Sequence, residues 1–106
     1  MTTEIETYLN SLSSDDIVCL DISFKDITSL PDLTRFTNLK KLYCYNNQLT
    51  SLPDLPPNLQ ILNCSNNKLT SLPDLPPNLE ELYCICNKLT SLPDLPPNLK
   101  ELYCQI

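Results

Sequence analysis

The chain has 106 residues, 42% of them apolar, which suits a single domain with enough apolar material for a core. A formal net charge of −6, with seven Lys and Arg in no patch, argues against sequence-independent nucleic-acid binding, which needs cations over phosphates. No apolar stretch approaches the roughly 18 residues of a membrane span, and ten prolines without a glycine leave the turns to be made without the residue that usually supplies positive φ.

The first segment reads as a cap. Thr3 followed three places later by Glu6 fits a capping box, and Ile5, Tyr8, Leu9 and Leu12 fall on one helical face, so an amphipathic helix is predicted from Glu4 to Leu12. Residues 1–16 are expected to cover the open core of the first coil, with 17–106 forming a solenoid of about five coils within one domain. Met1 to Ser14 has no basic region followed by an apolar one, so no standard secretion signal is expected and the location is read as cytoplasmic.

From Ile17 onward the chain repeats. A degenerate copy carries Ile17, Leu20, Ile22 and Ile27; the next, LPDLTRFTNLKKLYC, runs from Leu30 to Cys44. Three closer copies come after it, LPDLPPNLQILNC at Leu52 to Cys64, LPDLPPNLEELYC at Leu72 to Cys84 and LPDLPPNLKELYC at Leu92 to Cys104, with a period of 20 residues. The earlier copy holds two additional residues where the later ones have a double proline. A fixed period of this length signals a solenoid. Alternation in Leu42-Tyr43-Cys44 puts Leu and Cys on one side of a short strand and Tyr on the other. Five parallel strands are predicted near 20–22, 42–44, 62–64, 82–84 and 102–104. The LPDLPPN segments favour extended, polyproline-like backbone, which is read as the reason no glycine is needed. At the far end, Leu102, Cys104 and Ile106 are expected to have nothing stacked on them, an edge suited to pairing with a second copy.

Each copy reads LxxLxCxxNxL, as in Leu39, Leu42, Cys44, Asn47 and Leu49, and again in Leu59 to Leu69 and Leu79 to Leu89. This resembles the leucine-rich-repeat family over about nine tenths of the chain. The LPxLPxxL form is similar to the short, bacterial-type class of secreted effectors and of the recognition halves of effector ubiquitin ligases; similar tandem copies occur in large DNA viruses of amoebae. Cysteine at the sixth position is the departure. The resemblance implies an α/β solenoid with a parallel sheet on its concave side, a protein partner and, for an effector, the host cell cytoplasm. It also implies that Asn47, Asn67 and Asn87 bond to main-chain groups of the adjacent coil; Lys25 takes that place in the first copy, which is expected to be looser.

The residues offer little chemistry. Cys44, Cys64, Cys84 and Cys104 are expected to form an inward ladder of reduced thiols, because rungs near 4.8 Å apart exceed the Cβ separation of a disulfide. Cys19 and Cys86 are expected to point outward. There is no histidine and no zinc-site spacing, and reduced cysteines suit the cytosol. Asp32, Asp54, Asp74 and Asp94 form a second ladder, read as exposed turn residues accepting local backbone bonds rather than a calcium site. No cofactor, metal or catalytic residue is expected, since a reactive cysteine needs a neighbour that lowers its pKa.

Function is therefore sought on the outward sheet positions. One lane runs Asp21, Tyr43, Asn63, Tyr83, Tyr103; beside it run Cys19, Lys41, Ile61, Glu81, Glu101, and Ser23, Tyr45, Ser65, Ile85, Gln105. The candidate partner-binding residues are Lys41, Tyr43, Tyr45, Ile61, Asn63, Glu81, Tyr83, Ile85, Glu101 and Tyr103, with the tyrosines foremost because they offer amphipathic area at small entropic cost. The alternative is that the tyrosines only brace neighbouring strands. The leading function is a non-catalytic protein-binding module. Self-assembly through Leu102, Cys104 and Ile106 stands second, and a recognition fragment of an effector ubiquitin ligase third.

Overall fold

A computed structural model describes residues 4–106. Five short strands, β1 Cys19–Asp21, β2 Lys41–Tyr43, β3 Ile61–Asn63, β4 Glu81–Cys84 and β5 Glu101–Cys104, form one parallel sheet in chain order. The pairing register places Leu20, Leu42, Leu62, Leu82 and Leu102 in a single row. All but Leu102 are buried, and Ile22, Cys44, Cys64 and Cys84 continue the core one pleat further on. Burial of each leucine is worth roughly 2 kcal/mol, and because every rung covers the next, the core is continuous along the stack. Strands β1 to β3 begin and end one residue earlier than the alternation predicted. The ladder nevertheless runs on, since the amides of Ile22, Cys44 and Cys64 donate to the carbonyls of Tyr43, Asn63 and Tyr83 at 2.8–2.9 Å.

The proline segments turn the chain on the opposite side. Leu59, Leu79 and Leu99 donate to the carbonyls of Pro56, Pro76 and Pro96 at 3.2–3.4 Å, closing turns in which Pro57, Pro77 and Pro97 supply the fixed φ of the second position. Proline does not account for the missing glycines, however. The coils leave their strands through left-handed residues: Phe24, Asn46, Asn66 and Cys86, at φ 53–58°, with Asp26 at 55° in the first coil. Asparagine tolerates this region; Phe24 and Cys86 hold it at a cost of about 1 kcal/mol each.

Helix α1 spans Glu4–Asn10, two residues shorter than predicted, and Thr3 lies outside the described residues. Its end tightens, with Ser11 bonding to both Thr7 and Tyr8 and Leu12 to Leu9 three residues back. Leu9 is buried, and Ile5 and Leu12 pack partly against the core. Tyr8 departs from the expected face and is 46% exposed. The helix is held by a residue of the longer second copy: the Arg35 guanidinium donates to the carbonyl of Leu9 and to Ser14 Oγ, both at 2.6 Å, and lies 4.1 Å over the ring of fully buried Phe36. The additional residues that break the repeat thus anchor the cap.

Candidate functional site

Two of the outward lanes lie side by side as the alternation requires, while in the third Ser65 is buried rather than outward. Cys19, Lys41, Ile61, Glu81 and Glu101 are paired across the sheet, as are Asp21, Tyr43, Asn63, Tyr83 and Tyr103. A groove of about 450 Å³ opens along this face, lined by Tyr45, Asn46, Asn63, Ser65, Asn66, Tyr83, Ile85 and Tyr103. Of the sequence candidates, Tyr45, Asn63, Tyr83, Ile85 and Tyr103 therefore share one concavity. Lys41, Ile61, Glu81 and Glu101 form the parallel lane beside it, and Tyr43 sits half-buried between Asp21 and Asn63. Asn46 and Asn66 are lining residues that the repeat pattern does not signal; their left-handed backbone at the strand exit sets them at the groove wall.

The tyrosines are not equivalent. Tyr83 and Tyr103 stack with ring centroids 5.2 Å apart and planes 3° from parallel. Tyr45 meets Phe24 edge-on at 5.4 Å, a contact that leaves Phe24 70% exposed. The Tyr83 hydroxyl lies 2.6 Å from Glu81 Oε1 and 3.1 Å from Glu101 Oε2. Its bond to Glu81 is the main reason its pKa stands above the ordinary tyrosine value, with a smaller contribution from the Glu101 bond. Ser65 Oγ is half of another cross-coil link, accepting from the Ile85 amide at 3.2 Å.

Behind the lanes the asparagines form the expected ladder. Asn67 Nδ2 donates to the carbonyls of Cys44, Cys64 and Ser65 at 3.0–3.2 Å while its Oδ1 accepts from the Leu49 amide at 3.0 Å. Asn87 repeats this one coil on. Asn47 does so on the first coil, where its Oδ1 takes the amides of both Lys25 and Ile27. Asparagines of the convex turns make a second, shorter ladder that the motif did not signal: Asn38 Nδ2 bonds to the carbonyl of Asp15, and Asn58 Nδ2 to that of Thr37, at 2.7–2.8 Å.

The cysteine reading needs one correction. Cys44 and Cys64 are buried free thiols and Cys19 and Cys86 are exposed, as expected from the pattern, but the rung spacing does not keep Cys84 and Cys104 apart: their sulfurs are in contact, placed for a disulfide. Pairing of β4 with β5 runs one residue longer than between the earlier strands and carries the two cysteines into register with Cα atoms 4.7 Å apart, inside the span a disulfide bridges. This pair, unlike Cys44 and Cys64, is therefore no sign of a reducing compartment. The aspartate ladder also divides. Asp32 accepts from the Thr34 amide at 2.9 Å, which holds its carboxyl below the ordinary value. The residues two places after Asp54, Asp74 and Asp94 are prolines, which have no N–H to give. Among the described residues no group of three or more His, Cys, Asp and Glu is placed to hold a metal ion.

A family model described as "Leucine Rich repeats (2 copies)" matches residues 17–57 and again 57–97. The chain belongs to the leucine-rich-repeat family. Among solved structures this leucine-rich-repeat chain is similar to a Shigella effector LRR domain, at 36% identity and a TM-score of 0.79, over 95% of this chain and 44% of that one. It is also similar to YopM from Yersinia enterocolitica WA-314, at 27% identity and a TM-score of 0.51, over 76% of this chain and 26% of that one. The chain thus spans less than half the length of either structure. A comparison with curated protein sequences gives no match. The short, bacterial-type repeat class and the solenoid expected from the sequence are those of these neighbours, and a protein-interaction module is the function their domain type indicates. No helix among the described residues is long and apolar enough to cross a membrane.

Proposed function

We propose that this leucine-rich-repeat chain is a non-catalytic binding module, 1–16 acting as cap and 17–106 as solenoid of one unit, that engages a protein partner on the concave sheet face. The observation that carries this reading is the contrast between the two sides of each strand. Inward positions repeat Leu, Cys and Asn from coil to coil, whereas the outward lanes change from Lys41 to Ile61 to Glu81 and from Tyr43 to Asn63 to Tyr83 around a groove. Packing fixes the first set; a partner is a reason for the second. A face of five strands suits a contact near the standard ~800 Å² per partner. Lys41, Tyr43, Tyr45, Ile61, Asn63, Glu81, Tyr83, Ile85, Glu101 and Tyr103 are the contact residues, and the likeness to an effector domain makes host cytoplasm the place to look for the partner. Affinity capture from such a cytosol with the chain and with Y83A/Y103A tests this. Loss of the captured protein in the variant supports the face; equal recovery sinks it.

A second reading, self-association, is favoured by one observation: Leu102 and Ile106 are 40% and 71% exposed beside half-buried Cys104. Light scattering at rising concentration decides it, with a constant monomer mass ruling it out.

A further inference from the structure

The groove is not electrically uniform. In the lane beside its β4–β5 end, Glu81 and Glu101 stand directly opposite one another in the register of two parallel strands, an arrangement of like charges that disfavours the sheet. The nearest cation by sequence, Lys100, is engaged 3.3 Å away by Glu80. Both Glu81 and Glu101 reach the Tyr83 hydroxyl, yet a phenol carries one proton and can donate to one of them at a time. Beside the carboxylates the stacked Tyr83 and Tyr103 form the groove wall, and Tyr103 is 52% exposed. Two carboxylates sharing one donor, next to open aromatic surface, leave a place for a planar cation.

We propose that this end of the groove receives an arginine side chain from an extended segment of the partner. The inference rests on the reading of the concave face as the interaction surface and adds the chemistry of what it takes. A guanidinium presents several N–H groups in a fixed plane, so it bonds to both carboxylates at once while lying against the tyrosine rings. A lysine ammonium is a compact, strongly hydrated point charge without that planar match. The overall charge of −6 draws such a segment in at low salt.

The experiment uses the whole chain, isotopically labelled, titrated with a glycine-serine peptide of about nine residues, long enough when extended to cross the sheet, that carries a central arginine. Matching peptides carry citrulline or lysine instead. The arginine peptide shifts the amide resonances of 81–85 and 101–105. It binds about tenfold more tightly than the citrulline peptide and more tightly than the lysine peptide, and its affinity falls as salt rises. In E81Q/E101Q, whose spectrum elsewhere reports an intact fold, the shifts drop by about the same factor. Equal binding of citrulline or lysine peptide, or an unchanged titration of E81Q/E101Q, overturns the arginine site. If that happens while Y83A/Y103A still loses the captured partner, the interaction face stands and only its arginine chemistry is wrong; if Y83A/Y103A also captures normally, both fail.

Discussion

Asn67 bears more of the fold than any surface residue, because four backbone groups from two coils depend on one buried amide. Asn67→Ala leaves the Leu49 N–H unpaired in the core and takes one of two donors from each of the Cys44, Cys64 and Ser65 carbonyls, and is expected to cost about 2 kcal/mol or more, whereas Asn58→Ala, which removes one bond near the surface, costs about 1 kcal/mol or less. Urea unfolding of the two variants checks the difference. Strain runs the other way at Cys86, where Asn46 and Asn66 show which residue suits the left-handed turn. Cys86→Asn is expected to raise stability by about 0.5–1 kcal/mol in the same assay. The inward asparagines were legible because their spacing follows the repeat. The left-handed positions were legible only in part: Asn46 and Asn66 are of a type that favours positive φ, whereas Phe24 and Cys86, which share it, carry no such marker.

The buried thiols give the fold a pH dependence of known sign. Burial pushes Cys64 up to about 12 from an ordinary 9.0 and raises Cys44 as well, with Cys64 adding to the latter. The unfolded chain therefore loses these protons first, so the stability they carry is complete below about pH 9 and declines as pH rises toward 12. The urea midpoint should fall across that window, and less steeply in Cys64→Val. A midpoint independent of pH there would place these thiols in water.

At the scale of elements, period and alternation located all five strands to within a residue, because a two-residue pleat with one buried face admits a single register. What holds the elements together was less visible. Arg35 reads as an ordinary charged residue in a linear sequence, and only the fold brings it to the carbonyl end of α1 and over Phe36. Arg35→Ala should release the cap while leaving the sheet in place: hydrogen exchange at 5–12 should accelerate by at least about tenfold, with β2 to β4 unchanged. Uniform acceleration would mean the cap and the solenoid unfold as one. The Cys84–Cys104 contact escaped sequence reasoning for a similar reason, since it depends on how close the last two rungs bring their side chains.

For the whole molecule, one arrangement supports stability and leaves open the face proposed for binding. Leucine, cysteine and asparagine face the stack, and tyrosine, glutamate and lysine are left to an open face whose wall changes from coil to coil. The repeat located the outward lanes of the sheet. The shared proton of Tyr83 and the stacking of Tyr103 on Tyr83 depend on side-chain placement across coils 20 residues apart, which no local pattern encodes. Native thiol labelling read by mass spectrometry tests the central arrangement directly. Cys19 and Cys86 should react at once, with Cys44 and Cys64 protected until the chain unfolds. Rapid reaction of Cys44 and Cys64 in the folded protein, at the rate of Cys19, would contradict it.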